Sequence, residues 1–161
     1  MIPESNWFPP EILPNWEGAD ALVVDLETYD PGLKDHGAGW AYHDGHVAGV
    51  AIGIVQNDRC TAYYLPIKHG IGANLDAKRV LAYVKAAMTS KLPKIFHNAM
   101  YDIGWLSTLD IQVNGPLYDT MFGAALIDED RKSYSLDNVG FDWVKLRKDE
   151  SLLQEAAGAY G

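Results

Sequence analysis

Apolar positions follow two different periods along the chain, and the change from one to the other falls near residue 74. Before it, Ala21–Glu27, Val47–Gln56 and Cys60–Pro66 are short runs rich in β-branched and aromatic residues, bounded by Gly, Asp and Asn. They predict three strands, with Asn57-Asp58-Arg59 as a hairpin between the second and third. After it, Leu75, Val80, Leu81, Val84 and Met88 form one helical stripe. This predicts a helix from Leu75 to about Thr89, capped by Asn74. Pro93 closes the connection to a short strand, Lys94–His97. A helix from Asn98–Ala99 to about Thr108 follows, then a last short strand at Ile111–Val113. Tyr118–Ile127 and Ser135–Phe141 read as helices, and another is predicted to begin near 149–150. A three-stranded meander followed by strand–helix alternation predicts an α/β fold, a mixed sheet with helices packed on it.

The segments between these elements divide the chain further. Residues 1–20 carry Pro3, Pro9, Pro10 and Pro14 among Trp7, Phe8 and Trp16, the pattern of an extended arm whose aromatics dock on a domain spanning 21–161. Residues 29–46 are rich in Gly, Asp and His and predict a long loop directly after the first strand, where long loops are commonly functional.

Composition narrows the class of function. At 161 residues, 48% hydrophobic and 11% aromatic, the chain is long enough for one domain with a real core. Thirteen basic against 22 acidic residues give a formal charge of −9, which argues against broad coating of nucleic acid by basic surface. It leaves room for an enzyme that grips a few phosphates through bound metal. The single cysteine, Cys60, excludes an internal disulfide and suits a reducing compartment. The longest apolar stretch, Val47–Val55, is too short to span a membrane, and Met1-Ile2-Pro3-Glu4-Ser5-Asn6 lacks the basic start of a signal peptide. No membrane association and a cytoplasmic location are the expectation.

The chemistry is concentrated at two places. Asp25 and Glu27 end the run Ala21-Leu22-Val23-Val24-Asp25-Leu26-Glu27-Thr28. Alternate residues of a strand point the same way, so both carboxylates leave the sheet on one face, about 7 Å apart along the backbone. Like charges held together there call for neutralisation, and hard divalent cations prefer carboxylate oxygens. The second place is Phe96-His97-Asn98-Ala99-Met100-Tyr101-Asp102, where a strand turns into a helix. Asn98 and Asp102 are four apart and share a helical face. Two separated carboxylate motifs facing the strand ends fit an oxygen-lined site for two metals.

In order along the chain, the Val23–Thr28 strand, Ala62-Tyr63-Tyr64-Leu65-Pro66-Ile67-Lys68-His69, the His97–Asp102 junction, Leu117-Tyr118-Asp119-Thr120-Met121 and Tyr134-Ser135-Leu136-Asp137 resemble the proofreading 3′–5′ exonuclease domain of family A, polymerase-I-like DNA polymerases, particularly those of phages. The resemblance covers roughly residues 15–160. It implies a ribonuclease-H-like fold with a five-stranded mixed sheet, its second strand antiparallel, flanked by helices. It also implies hydrolysis of the 3′-terminal phosphodiester of single-stranded DNA with two Mg²⁺ or Mn²⁺ ions, beside a polymerase domain in the same gene or a separate chain. By the same resemblance Asp25 bridges both metals, Glu27 serves the water-activating one and Asp102 the second. Thr28, Asn98 and Tyr101 lie where the family meets the terminal nucleotide.

The family carries a further motif, Tyr-x-x-x-Asp, and no tyrosine of this chain has Asp four residues later. The resemblance therefore implies a C-terminally incomplete domain, the amino-terminal part of a longer polymerase, weak or inactive alone. Two other readings stay open: a catalytically degenerate scaffold or single-strand-binding module, and a ribonuclease-D-like RNA exonuclease. His97 and Asp102 have the spacing of the histidine-dependent branch of the superfamily, but local packing of His97 is the better reading. Asp119 is either a substitute ligand or, more simply, a cap on the helix it precedes. His36, His43 and His46 are read as solvated, since no cysteine joins them at a zinc-like spacing. Trp40 and Tyr42 are candidates for stacking on a base, against simple packing. Trp105 is read as core, and Lys145, Arg147 and Lys148 as either a phosphate grip or a solvated helix end.

Overall fold

The computed structural model describes residues 7–147, 149, 151, 154 and 155. Of the helix predicted to start near 149–150, Ser151, Gln154 and Glu155 are described and helical, while Lys148 of the basic run and most of the segment after Ser151 lie outside the described residues. The chain divides into two units, Pro9–Thr120 and a second formed by Met121–Gly161 with Met1–Phe8.

In the first unit, β1 (Ala21–Tyr29) sits in the middle of a five-stranded sheet of order β3-β2-β1-β4-β5. Its neighbour β2 (His46–Gln56) is antiparallel and continues into antiparallel β3 (Arg59–Pro66). On the other side β4 (Lys94–Phe96) and β5 (Leu117–Asp119) are parallel. The turn between β2 and β3 is Asn57-Asp58, both with positive φ (51° and 60°), the two-residue geometry that matches the twist of paired strands. The sheet is thus mixed, with the second strand antiparallel.

The period of two in β1 sorts its side chains as expected. Leu22, Val24 and Leu26 are buried, whereas Asp25 and Glu27 on the opposite face are exposed. Leu22 and Val24 join Val50, Ile52, Leu65, Val80, Val84, Met88, Phe96, Trp105 and Leu106 in one core between the sheet and helices α2 (Ala77–Thr89) and α3 (Ala99–Thr108). Leu13 and Trp16 of the N-terminal segment pack against this core, while Trp7 and Phe8 are exposed. Cys60 is exposed on edge strand β3.

Several boundaries differ from the sequence expectation. The α2 helix begins two residues later than expected, because Asp76 rather than Asn74 caps it, accepting from Arg79 N at 2.7 Å. Ile111–Val113 is not a strand. Ile111 is buried by packing alone, and its N–H turns back to Leu106 O at 3.0 Å. The fifth strand is Leu117–Asp119, although Tyr118 and Asp119 read on sequence as the start of a helix. It is solvent-exposed and carries no alternating signal, and only its pairing with β4 makes it a strand. Helix α4 (Thr120–Ile127) accordingly starts two residues later than expected. The 29–46 loop holds a short helix, α1 (Leu33–His36), and a 3₁₀ turn (Gly39–Ala41).

In the second unit, α5 (Leu136–Val144) is capped by Ser135. Arg131 pairs with Asp142 at 2.6 Å, Arg147 pairs with Asp137 at 2.8 Å, and the Arg147 guanidinium lies over Phe141. Lys145 donates to Asp142 O at 2.8 Å, so the described part of the basic run closes a helix end. No helix among the described residues is long and apolar enough to cross a membrane.

Candidate active site

The β4 strand is only three residues long and pairs with β1 at Leu22 and Val23 alone. Beyond that pairing, β1 has backbone donors facing an empty sheet position. Asp102, in the first turn of α3, fills it: its Oδ1 accepts from Leu26 N at 2.9 Å. Covalent geometry then puts Asp102 Oδ1 no more than about 6 Å from Asp25 Cα, across one peptide unit. The acid of the second motif therefore stands beside the first.

Electrostatics report the same convergence. Asp102 is 3% exposed, and burial pushes its carboxyl up to about 7 despite the Leu26 N–H, with the Asp25 and Asp119 charges adding to the rise. A carboxyl in that range exchanges its proton for a cation readily, which suits a ligand better than a permanently paired ion. The donor set is all carboxylate oxygen, the chemistry of Mg²⁺ and Mn²⁺. Among the described residues, no three His, Cys, Asp or Glu side chains stand closed up in a metal-holding group.

The strand–helix junction that aims Asp102 is built by Asn98 and Asp119. Asn98 takes the left-handed conformation (φ 68°, ψ 53°), which Asn tolerates better than most residues, and its side chain is exposed. Asp119, at the end of β5, accepts from Asn98 N at 3.1 Å and Ala99 N at 2.7 Å. It caps the start of α3. The reason is tertiary, since parallel pairing of β5 with β4 delivers it to the end of α3. His97 bonds locally, its Nδ1 lying 2.9 Å from Thr120 Oγ1.

Thr28 and Tyr101 also come together, with their hydroxyls 2.7 Å apart. Tyr101 donates its single proton to Asp30 Oδ2 at 2.9 Å, so Thr28 is the donor to Tyr101. Asp30, which sequence reasoning missed, accepts from Gly39 N at 3.0 Å with the same oxygen. It thereby pins the long loop to α3. Trp40 of that loop lies over Gly104, where a Cβ would come 2.3 Å from the Trp40 ring, so Trp40 packs. Tyr42 is exposed. Trp105 is buried in the core.

A β-bulge marks the other flank. Glu27 pairs with Gly49 but Thr28 with Val47, leaving Ala48 as the extra residue. Ala48 O accepts from both Ile67 N and Lys68 N at 2.9 Å, which draws the exit of β3 to the end of β1. The result is an open cavity of about 520 Å³ lined by Glu27, Thr28, Tyr29, His46, Lys68 and His69. A larger depression, beside Lys85, Ser107 and Asn114, contains none of the site residues.

The chain is similar to known proteins. The chain is 34% identical over 165 residues to a DNA-directed DNA polymerase of Pseudomonas phage M6, a match covering 98% of this chain and 24% of that protein. It is 26% identical over 113 residues to DNA polymerase I of Chloroflexus aurantiacus, covering 70% of this chain and 11% of that one. It thus spans about a quarter or less of these relatives' length. Among solved structures it is similar to Brucella melitensis NrnC with bound Mg²⁺, with a TM-score of 0.58 at 18% identity over 85% of this chain and 60% of that one. It is also similar to the POL domain of Pol1 from M. smegmatis in complex with DNA primer-template and dNTP, with a TM-score of 0.58 at 14% identity over 84% of this chain and 21% of that chain. Both are likenesses of fold. Residues 42–156 match the 3′–5′ exonuclease family of family A DNA polymerases, and the chain belongs to that family.

Proposed function

We propose that these residues form the proofreading centre of a family A DNA polymerase, hydrolysing the 3′-terminal phosphodiester of single-stranded DNA with two divalent ions, Mg²⁺ or Mn²⁺. Asp25, Glu27 and Asp102 would hold them. Bound, the ions supply Lewis-acid stabilisation of the charge that develops on the phosphodiester. The chain's own residues bind and orient. Asp25 and Glu27 present their oxygens from one face of β1, and Asp102 contributes when it gives up its proton. Thr28 and Tyr101, held together by their hydroxyls, and the exposed Asn98 meet the terminal nucleotide. The observation that carries the reading is the Asp102–Leu26 bond, which fastens the helix acid beside the strand acids.

With no Tyr-x-x-x-Asp in these 161 residues, low turnover by the isolated chain is part of the same proposal. Metal uptake is therefore the decisive readout. Calorimetry with Mn²⁺ is expected to show binding by the wild type and its loss in Asp25→Asn and Asp102→Asn. A single-stranded DNA labelled at its 3′ end is expected to bind with Mn²⁺ and to be released by chelator. Equal Mn²⁺ uptake by all three proteins overturns the assignment. The absence of a closed ligand group among the described residues favours a second reading, a degenerate single-strand-binding module, and DNA binding that ignores chelator would establish it.

A further inference from the structure

The sheet register places Glu27, Gly49 and Pro66 in one row across β1, β2 and β3, and Asp25, Ala51 and Tyr64 in the next row on the same face. Paired residues share a face, so Tyr64 stands on the same side of the sheet as both exposed acids. Its ring does not stay in its own row. A Cβ at Gly49 would lie 2.1 Å from Tyr64 Oη and 2.4 Å from Cζ, so the ring leans across the glycine and its hydroxyl occupies the place of the missing side chain. Directly paired side chains sit about 5 Å apart, which brings that hydroxyl alongside Glu27.

Two further observations tie this hydroxyl down. Tyr64 Oη hydrogen-bonds His69 Nε2. The His69 backbone is clamped on both sides by the Asn74 side chain, with His69 N donating to Oδ1 at 2.8 Å and Nδ2 donating to His69 O at 2.9 Å. Tyr64 keeps its proton throughout the ordinary pH range, because burial first and the Glu27 charge second push it up to about 12.

We propose that Tyr64 is a positioning residue. Its ring, seated over Gly49 and anchored by His69, forms a wall on the β3 side of Glu27 and keeps that carboxylate turned towards Asp25. This inference rests on the active-site reading above, and it adds a pair of residues acting through Glu27 rather than touching substrate. Groups that orient a ligand commonly change metal affinity by about 10- to 100-fold.

The test is Mn²⁺ calorimetry on the full chain, with urea unfolding of each variant beside it. Tyr64→Ala removes the wall and is expected to weaken Mn²⁺ binding about tenfold. Tyr64→Phe keeps the ring but loses its anchor, and His69→Ala loses the same bond from the other end. Each is expected to weaken binding about threefold, and the double variant no more than either, since one interaction has been removed in both. A general loss of packing would instead add, and would move the urea midpoint in step with affinity. If Tyr64→Ala does not fold, the Phe and His69 variants decide alone. Wild-type affinity in these variants, with Asp25→Asn still unable to bind, overturns the positioning role and leaves the active site standing. A wild-type chain that takes up no Mn²⁺ overturns both.

Discussion

Replacing Asp102 by asparagine separates the two jobs of this side chain, holding Leu26 and carrying charge. The amide of Asp102→Asn would keep an oxygen for the Leu26 N–H, so the junction survives, but it is neutral at every pH. In the folded wild type the carboxyl titrates near 7 rather than 3.8, for reasons of burial and of the neighbouring Asp25 and Asp119 charges. Below about pH 4 it is protonated in both folded and unfolded chains. Between about pH 4 and 7 the unfolded chain has lost the proton and the folded one retains it, so stability falls as pH rises through this window. At 1.36 kcal/mol per decade the fall is at most about 4 kcal/mol, and about half that with solvent reaching the exposed Asp25 alongside. Urea unfolding in chelator at pH 4.5 and pH 8 measures it. The stability of Asp102→Asn relative to wild type should rise by about 2 kcal/mol between these values. Saturating Mn²⁺ should stabilise the wild type and leave the variant unmoved. Parallel pH profiles for the two proteins would refute the assignment of Asp102 as a buried, charge-crowded carboxyl.

Asp119→Ala strips the acceptor from Asn98 N and Ala99 N, so a loss of about 1–2 kcal/mol is expected by urea unfolding. The same change removes one repelling charge, and the pH window of Asp102 should move downward, as NMR titration of its carboxyl would show. Lys94 is fully buried, its ammonium donating to Ser90 O, Ser90 Oγ and Asn114 O at 2.5, 3.0 and 2.9 Å, and burial lowers its pKa. Lys94→Met leaves those acceptors unmatched, with an expected loss of about 2 kcal/mol and, since Lys94 starts β4 while the acids gather past its end, unchanged Mn²⁺ affinity.

The sequence determined what depends on short-range periodicity. A period of two in Ala21–Thr28 was enough to put Asp25 and Glu27 on one face, because strand pleating fixes side-chain direction whatever the surroundings. The hairpin at Asn57-Asp58-Arg59, which the structure tightens to Asn57-Asp58, and the stripe Val80, Leu81, Val84 and Met88 were legible from equally local signals. Tertiary structure decided whatever depends on partners distant in the chain. Leu117–Asp119 is a strand only because β4 offers it a ladder, and Asp119 caps α3 only because that ladder carries it there. Lys94 can be buried only because Ser90 and Asn114 close over its ammonium. Asp102 is a ligand candidate beside Asp25 only because β4 is short enough to leave Leu26 N open, 76 residues away along the chain. Local propensity selects the direction in which a side chain points, but which groups it meets there is settled by packing and by the need to satisfy every buried donor.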